Sequence, residues 1–334
     1  MRRAALLAAL VTTAGLVCGP SGCGSGDDSG VAAPTGDAAV LAPLPKLPST
    51  LDLKAVWGTS STSVWAVGSG GTIVQYDGTD WNYAELAAPP DGGEIESLTG
   101  VDGASNDDVW VTGDQGSVLH WNGKKWSIVS NTPNTVLLQV WVGSSSNVWA
   151  VGLDTNLLGG GYVTHWDGTA WQDSDDSSTT SFWQVWGSGP DDVWLVGDSI
   201  DGSGVALRGS PTVPFNTSGY AGPALRAVWG SGPDDVWVAA YTGDITHWDG
   251  TSWTSTPSAV PTASLLGMHG VAKGDVWAVG NGGIAEHFVD GKWVATDTGT
   301  TKPLWALWGD GPSDVWAVGG GGTVLRWNGQ AWVR

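Results

Sequence analysis

The chain has 334 residues, enough for one large or two ordinary domains, and a formal net charge of −20 although only 14% of its residues are charged. Thirteen basic residues against 33 acidic ones argue against a nucleic-acid binder, which holds phosphates through Lys and Arg, and against adsorption to anionic lipid. The 24 Trp and 52 Gly, beside 3 Phe and 2 Met, exclude an ordinary aliphatic core and a disordered chain alike; they point to short aromatic strands joined by tight turns.

The first element is an export signal, residues 1–22. Arg2 and Arg3 precede an apolar run from Ala4 to Val17, too short to span a membrane and suited to the core of a signal peptide. Both cysteines follow it, so none remains to staple the rest of the chain. A Cys after such a core resembles a bacterial lipoprotein signal. Ser21-Gly22 before it makes Cys23 the expected lipidation site, with Cys18 the alternative. Export, to a lipid-anchored position on the outer membrane or cell surface or to secretion, is the implied localisation. A lipid on Cys23 would be the protein's only contact with a membrane. Residues 23–50 are rich in Gly, Ser, Asp, Ala and Pro without strand or helix periodicity, a flexible linker reaching roughly 25–30 Å.

From residue 51 to 334 one sentence is written seven times. A Val-Trp pair places Trp65, Trp110, Trp149, Trp194, Trp237, Trp277 and Trp316 at intervals of 45, 39, 45, 43, 40 and 39. Each copy holds four short runs, such as LRAVWG, DVWVAA, DITHWDG and a run at Trp253, punctuated by Gly. Four strands every ~40–45 residues predict an all-β fold, a seven-bladed β-propeller of four-stranded antiparallel blades. Asp77-Gly78, Asn122-Gly123, Asp167-Gly168, Asp249-Gly250, Asp290-Gly291 and Asn328-Gly329 predict type I′ hairpins between the third and fourth runs. The fourth copy lacks that hairpin and its Trp, reading ALRGSPTVPFN. A blade alone cannot bury both faces, so the repeated Trp are expected between stacked blades.

The stretch VWAVGSGGTIVQYDGTDW, Val64 to Trp81, resembles the Asp-box repeats of bacterial neuraminidase-type propellers, and more closely the repeats of photosystem II assembly-factor propellers. The likeness covers essentially 51–334. It implies a propeller and is weak for any activity, because here the turn reads only Asp-Gly-x-x-Trp.

Catalytic constellations are not apparent. His120, His165, His247 and His287 share one repeat position in the third run. At a radius of roughly 16 Å that position separates neighbouring copies by ~14 Å, too far for one metal ion, so no metal or other cofactor is expected. Outside the signal, Arg occurs at 208, 226, 326 and 334 and Glu at 85, 94, 96 and 286, which gives no arginine cluster and no distinctive carboxylate pair. The Asp opening the second run (Asp108, Asp192, Asp235, Asp275, Asp314) is expected to cap the first turn.

One position varies while its neighbours repeat. It precedes the first run's Ala-Val-Trp-Gly pattern and reads Lys54, Thr99, Leu138, Trp183, Arg226, Leu266 and Trp305. With the first run innermost, these seven line the mouth of the axial channel, on the face that also carries the copy-specific loops at 82–97, 152–161, 172–182 and 197–204. Asp102 and His269 replace the first run's Trp and put polar groups near the axis. The expected function is non-catalytic binding of a protein or glycan at the cell envelope by a monomer. The alternatives are a divergent neuraminidase-like or other glycan-degrading enzyme, and an assembly or scaffold factor.

Overall fold

The computed structural model describes residues 47–86, 97–156, 160–174 and 180–334. The signal, both cysteines and the linker up to residue 46 lie outside the described residues, as do parts of the loops at 82–97, 152–161 and 172–182. The strands, numbered β1–β28 in chain order, form seven four-stranded antiparallel sheets, each from four consecutive strands. The protein is therefore a seven-bladed β-propeller. In the first blade, β1 (Leu53–Ser60) pairs with β2 (Ser63–Gly68), then β3 (Thr72–Tyr76) and β4 (Trp81–Tyr83). The first strand of each blade touches the first strands of both neighbouring blades, which puts it innermost.

Burial follows from the repeat. The second strand is enclosed on both faces, and its Trp is 0–3% exposed in all seven blades. Each of these rings receives, edge-on, an aromatic ring from the next blade's outer region: Trp126 on Trp65, Trp171 on Trp110, Phe215 on Trp149, Trp253 on Trp194, Trp293 on Trp237, Trp332 on Trp277 and Trp81 on Trp316, with centroids 5.2–5.9 Å apart. Burying one Trp side chain stabilises by roughly 4–6 kcal/mol gross. The innermost strand adds a second lock. Trp57, Trp141, Trp186, Trp229 and Trp308 lie over the glycine of the next blade's inner strand, so that a Cβ on Gly270 would fall 2.5 Å from the Trp229 ring.

Among the described residues no strand is exchanged between the first and last blades, so the ring closes by packing. Trp316 meets Tyr76 and Trp81, and Trp308 covers Gly58. The chain entering the first blade joins in: Leu47 is buried beside Trp308 and Trp316, Gly322 donates its N–H to the Leu51 carbonyl at 2.5 Å, and Gly321 to Asp52 Oδ1 at 3.0 Å. Residues Leu47–Thr50, the end of the expected linker, thus sit against the propeller.

The outer turns differ from the type I′ expectation. In five blades the loop has four residues, and only its glycine has positive φ. Asp77 shows why: its carboxylate accepts the N–H groups of Thr79 and Asp80, an Asx-type turn that fixes the loop through the side chain. Only Asp290-Gly291, where Val289 pairs with Lys292, has both residues at positive φ.

Candidate functional site

The seven variable residues are the extra residue of a β-bulge in each inner strand. The pairing skips from Leu53 to Ala55, Leu98 to Gly100, Leu137 to Gln139, Phe182 to Gln184, Leu225 to Ala227, Leu265 to Gly267 and Leu304 to Ala306. A bulged residue is left out of the ladder and its side chain is re-aimed, so the repeat leaves its identity free. All seven, Lys54, Thr99, Leu138, Trp183, Arg226, Leu266 and Trp305, are half-buried and line one axial cavity of about 130 Å³. That volume holds a few waters or one small side chain, below the ~300–1,000 Å³ of a typical small-molecule site.

Two cation–aromatic stacks dominate the mouth. Lys54 Nζ lies 3.6 Å from the Trp305 ring centroid, and the Arg226 guanidinium 4.1 Å from that of Trp183. In each, the cation of one blade covers the Trp of the preceding blade. Arg226 is also held by Asp198 at 2.7 Å, whose same Oδ1 accepts the Trp183 indole N–H, and it lies 5.5 Å from the Tyr241 ring. Burial pushes the Lys54 pKa down from its ordinary value, and nearby Asp52 opposes that shift. Thr99 is committed to the Leu137 carbonyl at 2.7 Å. Asp198 falls in the copy-specific stretch 197–204, but its sequence context assigned it no role at the mouth. It lies in the fourth blade's lengthened second strand (Asp192–Ser199), where no repeat marks it.

Asp102 and His269 sit deeper along the inner strands, packed round by protein yet not sealed from water. Neither bonds to the other. Asp102 accepts N–H groups from Gly103 and from Val142 of the next blade at 2.9 and 2.7 Å. Burial raises its pKa to about 7 in spite of those bonds. His269 faces the Gly309 carbonyl at 3.4 Å, and burial lowers its pKa to about 4.

The four repeat histidines do not converge. His120, His247 and His287 each bond an Asp of their own blade at 2.6–2.7 Å, His165 bonds Asn147 at 2.7 Å, and each imidazole stacks on its blade's second-strand Trp. Arg208 and Arg326 take the same place, paired with Asp192 and Asp314. The Asp that opens the second strand therefore spends one oxygen across the sheet. The expected turn contact survives at Asp192 and Asp235, which accept the hydroxyls of Ser188 and Ser231. Glu286 is fully buried, holding Ser258 Oγ and the Ala259 N–H at 2.7 Å, and so clamps a connector. Among the described residues, no group of three His, Cys, Asp or Glu is arranged to hold a metal ion.

Neither a family model nor a curated protein sequence matches the chain. Solved structures do. The structure of YCF48 bound to D1 peptide is 17% identical, with a TM-score of 0.65, over 86% of this chain and 95% of that one. YCF48 from Cyanidioschyzon merolae is 17% identical with a TM-score of 0.64, over 86% and 98% of the two chains. A catalytically inactive virginiamycin B lyase from Staphylococcus aureus, with quinupristin, is 12% identical with a TM-score of 0.63, over 84% and 97%. At such identities the likeness establishes the fold, which binding proteins and enzymes share.

Proposed function

We propose that this chain is an exported, non-catalytic propeller that holds a polypeptide or glycan of the cell envelope against its axial mouth. The observation that carries the reading is the pair of Trp–cation stacks built on residues that the fold leaves free. Trp and Arg in half-buried positions are the chemistry of binding hot spots, and nothing in strand pairing calls for them there. The small cavity favours contact across a surface over enclosure of a substrate. YCF48 bound to D1 peptide supports a polypeptide ligand before a glycan, and with it a role in assembly. The glycan-degrading alternative gains no support from the charged groups, since Glu286, Arg208 and Arg326 are each committed within the fold.

The test compares wild type with a Trp183→Ala/Trp305→Ala variant, both shown to be folded by circular dichroism, in capture from envelope extract and on a glycan array. The expected result is a defined species that wild type retains and the variant loses. Retention of the same species by both refutes the mouth. Export and anchoring rest on the N-terminal pattern alone. Cys23→Ser is expected to release the protein from membranes, and an intact mass showing an unmodified Cys23 on the mature chain refutes the anchor.

A further inference from the structure

The junction between the third and fourth blades departs from the other six. Elsewhere the second-strand Trp meets two rings from the next blade, one ending the third strand and one opening the fourth. Trp277, for instance, meets Trp327 at 4.9 Å and Trp332 at 5.2 Å. In the fourth blade the third-strand place belongs to Gly209, which pairs with Val193 as Trp248 pairs with Val236. The fourth strand shrinks to β16 (Asn216–Thr217). The loop before it folds back over Gly209, where a Cβ would lie 2.8 Å from the Phe215 ring, and Phe215 alone reaches Trp149. One ring does not fill the space of two. A cleft of about 780 Å³ results, with His165, Asp167, Leu207, Pro214 and Phe215 around it and Trp149 at its base, where His165 and Phe215 still leave it only 2% exposed. That volume is in the range of sites that enclose most of a ligand.

The charge of the cleft is one-sided. The Thr169 hydroxyl and the turn N–H groups of Ala170 and Thr169 hold the Asp167 pKa down to about 2, so its carboxylate is ionised at neutral pH. Burial lowers the His165 pKa, which keeps that imidazole neutral. Among the described lining residues there is no Lys or Arg. The rim thus repels an anion and favours a cation.

We propose that this cleft docks an aromatic side chain flanked by a positive charge, presented by a partner polypeptide, in the place where the repeat elsewhere puts its own ring. The site is on the outer flank of the propeller and does not depend on the axial mouth.

The repeat supplies a fold-preserving control. Asn122 and Asn328 make the same turn contacts in their blades as Asp167 makes in the third, so Asp167→Asn removes the charge and keeps the loop. The experiment titrates the whole exported chain with tryptamine, N-acetyltryptophanamide and indole-3-acetate by calorimetry and ligand-detected NMR. Tryptamine is expected to bind tightest and indole-3-acetate weakest. Asp167→Asn is expected to weaken tryptamine up to about five-fold and to leave the neutral amide unchanged. Leu207→Trp, which fills the cleft from the fourth blade, is expected to abolish binding of all three, whereas Trp305→Ala leaves it intact. Should Leu207→Trp fail to fold, Phe215→Ala removes one wall and is expected to weaken binding roughly two- to ten-fold. Absence of indole binding at millimolar concentration, binding unchanged by both Leu207→Trp and Phe215→Ala, or binding of a neutral oligosaccharide in place of the indoles would each overturn the proposal.

Discussion

Replacing Trp277 by Ala measures what holds the blades together. The side chain is 0% exposed, stacked on His287 at 3.9 Å and 8° between planes, and touched by Trp327 and Trp332 from the last blade. Removing its ring forfeits a gross burial of about 6 kcal/mol, from ~250 Å² at ~25 cal/mol per Å². Partial collapse of the neighbours recovers some of this, so the expected loss is about 3–5 kcal/mol. That is a large share of a typical ~5–15 kcal/mol domain stability. Trp305 is the comparison. It is half-buried at the mouth with one face under Lys54, and Trp305→Ala is expected to cost about 1–2 kcal/mol. Urea denaturation with linear extrapolation, followed by far- and near-ultraviolet circular dichroism, reads both. Equal losses in the two variants, or a Trp277→Ala loss under about 1 kcal/mol, would refute the division between interlocking and free tryptophans.

Three further outcomes follow from the same geometry. Truncation after Pro303 removes the last blade and with it the contacts of Trp308 and Trp316 to the first; the truncated chain is expected to melt lower and less cooperatively, and an unchanged calorimetric transition would show that closure does not matter. Gly270→Ala drives a methyl into the Trp229 ring and toward the Asp275 carbonyl and is expected to cost about 1–3 kcal/mol by denaturation, against no loss if the inner strands give way freely. Asp102 has a raised folded pKa, so its contribution is fully present below its unfolded value near 4 and is lost as pH rises to about 7. His269 has a lowered one, so its contribution is present above about 6.5 and is lost as pH falls toward 4. The two slopes oppose each other in wild type. Asp102→Asn is therefore expected to gain stability with pH between 4 and 6.5 relative to wild type, by up to about 1.4 kcal/mol per pH unit, and parallel pH profiles of the two proteins would refute the shift.

What was legible in the sequence is what packing between blades compels. The second-strand Trp and the inner-strand Trp with its receiving glycine have identical surroundings in nearly every copy, so the chain repeats them and the repeat discloses the fold. The turns were less legible. Asp-Gly suggests two residues at positive φ, but an Asp that bonds the next two N–H groups makes a four-residue loop with one. The spacing held the clue: Asp290-Gly-Lys-Trp is one residue shorter than Asp77-Gly-Thr-Asp-Trp, and only the shorter form makes the tight turn. The mouth was located by its variability, although not its cause, the bulge. Within the variable stretch 197–204, the part played by Asp198 was beyond reach, because it depends on Trp183 and Arg226 from two blades meeting one carboxylate.

These particulars separate two kinds of departure from the repeat. Where a bulge takes a residue out of the ladder, as at Lys54 or Arg226, variation costs the fold little, and side chains are free to serve recognition. Where a departure falls inside the blade junction, the fold must compensate. Asp102 recruits the Val142 N–H of the next blade, and Gly209 draws Phe215 back across itself. Compensation at Asp102 is partial: the carboxylate stays hydrogen-bonded to its neighbour, yet burial still holds its pKa up at about 7. Compensation is also incomplete at Gly209, since Phe215 replaces one ring of two and leaves the cleft beside Trp149. A ring that only needed to close would gain several kcal/mol by keeping the second aromatic there. The fourth blade forgoes that gain, and the indole titration of the Leu207→Trp and Phe215→Ala variants decides whether the open flank serves a ligand instead.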